Sequence, residues 1–221
     1  MSSSLLFVAC SMHKDTLSTK IQATQSDTAQ QKINVTEDVE FDNGFVELKN
    51  LDSSIQIDIK YATTDNFVKE KMYNCGKCFL RPEVANAIVA AQKIVQKKGY
   101  GLKMFDCYRP RPFQQKLWDK VPDDRYVTPP AKGSMHNRGA AVDITLVDKN
   151  GKEIDMGTPF DFFGEKAYQT YTNLPKDVLN HRKLLTETLE SVGFKRIRTE
   201  WWHFSFQKKK YTLSDWLWDC K

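Results

Sequence analysis

A single acid interrupts the apolar run AAVDITL at residues 140–146. In a β-strand, Asp143 would lie on the opposite face from its neighbours Val142 and Ile144, so the acid could face a cleft while they enter the core. His136 lies seven residues earlier, ~10.5 Å away along a helix. That is too far for two ligands of one zinc ion, each ~2.0–2.2 Å from the metal. The segment 137–139, Asn-Arg-Gly, has the composition of a turn that would bring the two side chains together.

A second segment, TEWWHF at 199–204, strengthens this interpretation. A histidine–aspartate pair taken alone is most often a surface or hydrogen-bonded pair. His203, however, lies among large aromatic residues, where a histidine needs a polar partner. Two histidines and Asp143 can fill three positions of a catalytic zinc ion and leave the fourth for water. Glu200, three residues before His203, could be the general base on that water.

A third segment, FDCYRP at 105–110, places Arg109 at the end of a predicted strand. Arginine in such a position is more often a surface or ion-pair residue. Beside a zinc hydrolase site, a fixed guanidinium could stabilise the oxyanion of a tetrahedral intermediate. The other histidines are weaker candidates, because His13 lies in a polar tail and His181 at the start of an amphipathic helix.

Helical and strand patterns are mixed along the chain without regular β-α-β alternation, which favours the α+β class. We predict helices over 81–99, 111–120 and 180–193, strands over 54–63, 101–108 and 140–146, a loop over 121–133 and β-like structure over 194–206. On the first helix, the residues of one face would be Val84, Ile88, Ala91 and Val95.

Residues 1–40 differ in composition from the rest of the chain. The apolar run SLLFVAC at 4–10 is followed by about thirty polar residues without aromatic residues, glycine or proline, a composition that cannot form a core. A short apolar run ending in Cys10 and followed by a polar tether resembles the signal of a bacterial lipoprotein, although the run is short and no basic residue precedes it. We therefore predict a signal-like segment and tether at 1–40 and a folded domain at 41–221. A cell-envelope location with a lipid anchor at Cys10 is expected, and a cytoplasmic protein with a frayed end is the alternative.

The remaining four cysteines leave two interpretations open. Cys75 and Cys78 form a lone C-x-x-C, and a four-thiolate zinc site would need a second such pair. Disulfides among Cys75, Cys78, Cys107 and Cys220 would suit an oxidising compartment. Buried free thiols are the other interpretation.

The charge of +5 is modest and its basic residues are scattered, so no nucleic-acid partner is predicted. The one dense basic run, Lys208–Lys210, is typical of a solvated face. No stretch approaches the ~20 apolar residues of a membrane span, which leaves Cys10 as the expected membrane contact. The sequence leaves the oligomeric state open.

Together these segments resemble the zinc D-alanyl-D-alanine dipeptidases, the VanX-like family, from about Asp52 to Phe206. The resemblance is carried by IKYATTDNF (59–67), CFLRPEV (78–84), DCYRP (106–110), SMHNRGAAVDITL (134–146), MGTPFDFF (156–163) and EWWHF (200–204). It implies a compact α+β domain around an antiparallel sheet with flanking helices. It also implies one zinc ion per chain and D-alanyl-D-alanine as the substrate. Two departures are Cys107, where the family often has glycine, and the polar N-terminal tail.

The resemblance implies roles for eight residues. The zinc ligands would be His136, Asp143 and His203, and the catalytic base would be Glu200. Arg109 would stabilise the transition state. Asp161 would pair with the ammonium group of the substrate, and Ser134 and Tyr61 would help to hold that amino end. One alternative is a D,D-carboxypeptidase acting on longer cell-wall peptides, in which room must remain beyond Asp161. A second is a zinc-binding module without catalysis, which would need neither Glu200 nor Arg109.

Overall fold

The computed structural model describes residues 40–41 and 44–221. The predicted lipoprotein-like segment, with Cys10 and His13, lies outside the described residues. The strands are β1 (Glu40–Phe41), β2 (Phe45–Glu47), β3 (Gln56–Ile57), β4 (Phe79–Leu80), β5 (Gly101–Asp106), β6 (Ala141–Val147), β7 (Phe194–Arg196) and β8 (His203–Phe206). The α-helices are α1 (Leu48–Leu51), α2 (Pro82–Gln96), α3 (Arg111–Lys120) and α4 (Lys176–Ser191).

Two sheets organise the described part of the chain. The larger has the strand order β3-β5-β6-β8-β7, and the smaller has the order β1-β2-β4. Neighbouring strands are antiparallel except for β3 and β5, which are parallel. Strand β6 lies at the centre of the larger sheet, and all seven of its residues are buried. The α+β class and the antiparallel sheet with flanking helices are therefore confirmed.

Helix α2 extends over Pro82–Gln96, within the predicted range 81–99. Pro82 occupies its first turn, where a missing N–H costs nothing, and Glu83 complements the positive end of the helix dipole. The predicted apolar face is buried in the core. Helix α3 has the predicted bounds, whereas α4 begins at Lys176, four residues earlier than predicted, directly after Pro175.

The predicted strand over 54–63 is largely wrong. Only Gln56–Ile57 are extended in a sheet, and Lys60–Ala62 form a 3-10 turn. The amide of Asn66 donates hydrogen bonds to the backbone carbonyls of Lys60, Thr63 and Glu70. These bonds give the backbone an alternative to a strand ladder, which alternating hydrophobicity does not reveal. The β-like stretch 194–206 is two strands, β7 and β8, separated by residues 197–202.

All four described cysteines form disulfides, Cys75 with Cys220 and Cys78 with Cys107. The free-thiol interpretation is therefore wrong for this structure. Lys208–Lys210 are exposed, as predicted. In the described part of the chain, no helix has the length and apolar character needed to cross a membrane.

Candidate active site

Three adjacent strands of the larger sheet bring polar side chains into one row. Asp143 on β6 is paired directly with His203 on β8 and with Asp106 on β5. Residues directly opposite each other in a sheet project from the same face. The core of the site is therefore built on the most buried strands, although its residues lie nearly 100 positions apart in the sequence.

His136 reaches this row from the turn that precedes β6. His136–Arg138 form a 3-10 turn that ends at Gly139, whose φ is +67°. A side chain at Gly139 would be strained by this left-handed backbone, and its Cβ would lie 2.4 Å from the Phe45 ring. The predicted turn between His136 and Asp143 is thus confirmed.

Three donor atoms converge at the centre of the site. His203 Nδ1 lies 3.0 Å from Asp143 Oδ1 and 3.1 Å from His136 Nε2, and the latter lies 3.3 Å from Asp143 Oδ1. Four ligands arranged tetrahedrally at ~2.0–2.1 Å from a zinc ion are separated by about 3.3 Å. The three atoms therefore have the spacing of three corners of a zinc coordination tetrahedron.

Each imidazole has a hydrogen-bond partner on its outer side that can accept a hydrogen bond from the ring nitrogen facing it. His136 Nδ1 lies 2.7 Å from the backbone carbonyl oxygen of Cys107, which can only accept a hydrogen bond, so this nitrogen donates. His203 Nε2 lies 3.0 Å from Ser205 Oγ. With these nitrogens protonated, the lone pairs of His136 Nε2 and His203 Nδ1 point toward Asp143. Two lone pairs and a carboxylate that meet at 3.0–3.3 Å could hold a cation.

The acid–base properties of these groups agree with that assignment. Burial disfavours the charged form of His136, but the adjacent Asp143 carboxylate outweighs it and raises the pKa of the imidazole. Burial likewise opposes ionisation of Asp143, yet His136 and His203 hold its pKa well below the usual range. The buried pair therefore favours an ionised Asp143 with a positive charge beside it. A metal cation could supply that positive charge in place of the proton on His136.

Glu200 lies beside this centre without joining it. Its Oε2 is 4.0 Å from His203 Nδ1. Burial, reinforced by the negative charges of Asp143 and Asp161 and opposed by His203, raises the pKa of Glu200 to about 8. A carboxyl group with a pKa near neutrality can both accept and return a proton.

Arg109 is held by a partner that the sequence-based analysis did not single out. Its Nε and one terminal nitrogen donate to Asp106 Oδ2 at 3.0 and 2.7 Å, and the other terminal nitrogen donates to Gln114 Oε1 at 3.0 Å. Asp106 is fully buried, and its Oδ1 also accepts a hydrogen bond from Tyr73 Oη at 3.1 Å. The spacing of opposite charges three residues apart, Asp106 and Arg109, was the signal that could have found this pair.

Asp161 also lines the pocket that holds these groups. The hydroxyl of Tyr61 lies 3.3 Å from both carboxylate oxygens, and the backbone of Asp161 is left-handed, with φ +58°. Burial, reinforced by Asp143, raises the pKa of Asp161 to about 8. The neighbouring groups do not stabilise the ionised form of this carboxyl group enough to offset burial, and a cationic ligand beside it would stabilise that form further.

Ser134 has a structural contact as well as a place in the pocket. Its Oγ accepts a hydrogen bond from the backbone N–H of His136 at 3.0 Å. All eight residues singled out from the sequence line one cavity of about 280 Å³. They are Tyr61, Arg109, Ser134, His136, Asp143, Asp161, Glu200 and His203. Sequence reasoning missed Asp106, Gln114 and Ser205. Like Asp106, Ser205 had a signal in the sequence, because it lies two residues after His203 on the same strand face.

Several known proteins are similar to this chain. The Peptidase M15 family model, described as D-ala-D-ala dipeptidase, matches residues 41–216. The D-alanyl-D-alanine dipeptidase of Escherichia coli (strain K12) is 35% identical over 169 residues, which cover 76% of this chain and 88% of that protein. The enzyme of the same name from Enterococcus faecalis (strain ATCC 700802 / V583) is 30% identical over 194 residues, which cover 77% and 95%. Among solved structures, a mutant of the vancomycin resistance D,D-pentapeptidase VanY in complex with Zn(II) has a TM-score of 0.41 at 15% identity, covering 58% of this chain and 73% of that one.

Proposed function

The chain belongs to the D-ala-D-ala dipeptidase family of M15 peptidases, and from this premise we propose that it is a zinc-dependent hydrolase that cleaves D-alanyl-D-alanine into two molecules of D-alanine. The observation that carries the proposal is the meeting of a three-ligand cation site, an acid–base carboxyl group and a buried guanidinium in one small cavity. At about 280 Å³, that cavity lies just below the ~300–1,000 Å³ typical of drug-sized ligands. It therefore suits a dipeptide better than a long peptide.

His136, Asp143 and His203 would hold one zinc ion per chain, through Nε2, Oδ1 and Nδ1 respectively. A zinc ion in such a site lowers the pKa of water from 15.7 to about 7 and polarises a carbonyl group. The hydrogen bonds that His136 donates to the Cys107 carbonyl and that His203 makes to Ser205 keep both rings oriented for this purpose.

Glu200 is the proposed general base. Its carboxylate would take a proton from the attacking water and return it to the nitrogen of the leaving D-alanine. A pKa raised toward neutrality suits both halves of this transfer. Arg109 would stabilise the negative charge that develops on the carbonyl oxygen, and Asp106 and Gln114 fix the guanidinium before substrate arrives.

Asp161 is the proposed selector of a free amino terminus. Its buried carboxylate would pair with the substrate ammonium, with Tyr61 and Ser134 helping to hold that end. Burying a charge without its partner is costly, so a substrate with a blocked amino group should be rejected.

The test compares D-Ala-D-Ala with N-acetyl-D-Ala-D-Ala in the zinc-loaded enzyme. We expect the acetylated substrate to have a kcat/KM at least ~10²-fold lower, or roughly 3 kcal/mol in transition-state stabilisation. Asp161→Asn should reduce that penalty, because the unpaired charge is gone. Equal rates for the two substrates in the wild-type enzyme would reject the dipeptidase and favour a D,D-carboxypeptidase.

We propose a cell-envelope location, with attachment through a lipid at Cys10. Support comes from the two disulfides, since these persist in oxidising compartments and are rare in the cytosol. The lipoprotein-like composition of residues 1–40 is the second line of support.

A further inference from the structure

Three aromatic rings from three different loops meet at one side of the pocket. The Phe163 ring lies 4.5 Å from the Tyr126 ring and 5.0 Å from the Phe67 ring, measured between centroids. Tyr126 belongs to the proline-rich loop after α3, Phe67 follows the 3-10 turn at Lys60–Ala62, and Phe163 follows Asp161. We call Tyr126, Phe163 and Phe67 the aromatic cap.

The aromatic cap forms part of the wall of the pocket. All three of its residues line the cavity that contains the metal ligands. Phe163 is nevertheless 38% exposed, so the same side chain faces the cavity and the solvent.

The cap is joined to Asp161, the residue proposed to receive the substrate ammonium. Phe163 lies two residues after Asp161 in the same loop, and the Phe67 backbone is hydrogen-bonded to the Asp161 carboxylate. The ring contact between Phe67 and Phe163 therefore lies at the side of the pocket next to Asp161.

The other side of the cap is joined to Arg109. The Gln114 side chain, which accepts a hydrogen bond from Arg109, donates one to the Thr128 carbonyl at 2.8 Å. Thr128 lies two residues after Tyr126, so the loop that carries Tyr126 is fixed to the group that holds the guanidinium. The cap is thus tied both to Asp161, at the amino end of the proposed substrate site, and to the group that fixes Arg109.

We propose that the aromatic cap is a length filter that ends the pocket just beyond Asp161 and excludes peptides longer than two residues. This inference rests on the proposed dipeptidase function and assigns the limit on substrate length to the Phe163 ring. Asp161 would then recognise the charge of the amino end, while Phe163 would exclude any residue attached to it. Charge and length are separable, because a tripeptide keeps an ammonium group but displaces it by one residue.

The chain offers a matched control in Phe162. This residue is 37% exposed, next to Phe163 in sequence, and is absent from the lining of the cavity. Phe163→Ala and Phe162→Ala therefore remove the same side chain with the same exposure, and only the first opens the cap. Phe163→Leu preserves apolar bulk and should give an intermediate effect.

The experiment measures kcat/KM for D-Ala-D-Ala and for Gly-D-Ala-D-Ala with each zinc-loaded variant. Wild type should strongly prefer the dipeptide. Phe163→Ala should raise the relative kcat/KM for the tripeptide at least ~10-fold, the scale at which apolar pockets discriminate by size. Phe162→Ala should retain the wild-type preference. Tyr126→Ala, which breaks the same contact from the other loop, should shift the preference in the same direction, and it provides a second route if Phe163→Ala does not fold.

Three results would overturn the inference, and they differ in meaning. A wild-type enzyme that prefers the dipeptide, together with Phe163→Ala and Tyr126→Ala variants that keep the same preference, would reject the length filter alone. A wild-type enzyme that fails to cleave D-Ala-D-Ala would reject the proposed function and the filter with it. Phe162→Ala relaxing the preference as much as Phe163→Ala would show that loop disorder, and not the cap, sets the length limit.

Discussion

The buried pair of Asp106 and Arg109 gives a sharp prediction, because substitution of Asp106 by asparagine can remove a charge without removing hydrogen bonds. Asp106 Oδ2 accepts both bonds from Arg109, and Oδ1 accepts one from Tyr73. In Asp106→Asn the amide oxygen can face Arg109 while the amide nitrogen donates to the tyrosine oxygen. The three contacts are then kept, and the measured effect is that of leaving a buried guanidinium without a counter-ion.

The expected cost follows from burial. The aspartate side chain is 0% exposed and that of the arginine 9%. Removing one partner of a buried pair costs ~3–5 kcal/mol, and we expect the lower end because the hydrogen bonds remain. For a domain of this size, about 3 kcal/mol corresponds to a fall in Tm of roughly 6–12 °C.

The control is an exposed pair of the same chemistry. Arg111 Nε donates to Asp215 at 2.6 Å, but the two side chains are 44% and 55% exposed. Asp215→Asn should barely change the free energy of unfolding, because water replaces the partner and exposed pairs contribute little. Urea unfolding of the metal-free protein measures both variants, and an unchanged m value is required for the comparison. Equal effects of the two substitutions would refute the argument from burial.

Three further predictions concern the metal, pH and the membrane. His203→Ala should lose most of the bound zinc, whereas Glu200→Gln should keep the zinc and have a kcat lower by ~10²–10⁴-fold. Metal analysis and kcat measurements test this, and a Glu200→Gln variant that lost its zinc or kept its activity would contradict it. In the metal-free protein, Asp161 and Glu200 have pKa values of about 8, against about 4 when unfolded. As pH rises, the unfolded state therefore loses these protons first, and the free energy of unfolding should fall between about pH 4 and about pH 8. The fall should be smaller in Asp161→Asn. Thermal unfolding at several pH values tests this, and the same pH dependence in the wild type and in Asp161→Asn would refute it. Cys10→Ser should move the protein from the membrane fraction to the soluble fraction, and no change on fractionation would count against a lipid anchor.

The parts of the site that could be predicted from sequence are those whose residues lie close together in the chain. His136, the turn at 137–139 and Asp143 fall within eight residues, and Glu200 and His203 are three residues apart. Helix α2 was equally accessible, because its apolar period and terminal residues agree. These features depend on neighbours in the chain, which is what a sequence displays.

The aromatic cap and the disulfides could not be predicted, because they depend on contacts between residues that are distant in the sequence. Phe67, Tyr126 and Phe163 come from three loops, and their meeting depends on how those loops fold over the sheet. The pairing of Cys75 with Cys220 spans 145 residues. Spacing alone allows three pairings of four cysteines, so the sequence could not select the observed one.

The position of Asp106 depends on a defect in the β5–β6 pairing. Met104 is opposite Ile144, so regular pairing would place Phe105 opposite Asp143 and Asp106 opposite Val142, on the other face of the sheet. The register instead shifts between Met104 and Asp106, and Asp106 is paired with Asp143. A bulge of this kind inserts one residue and redirects the side chains that follow it. The extra residue, Phe105, is buried and packs against Phe160. The packing that stabilises the bulge therefore also determines the position of the Asp106 carboxylate that binds Arg109.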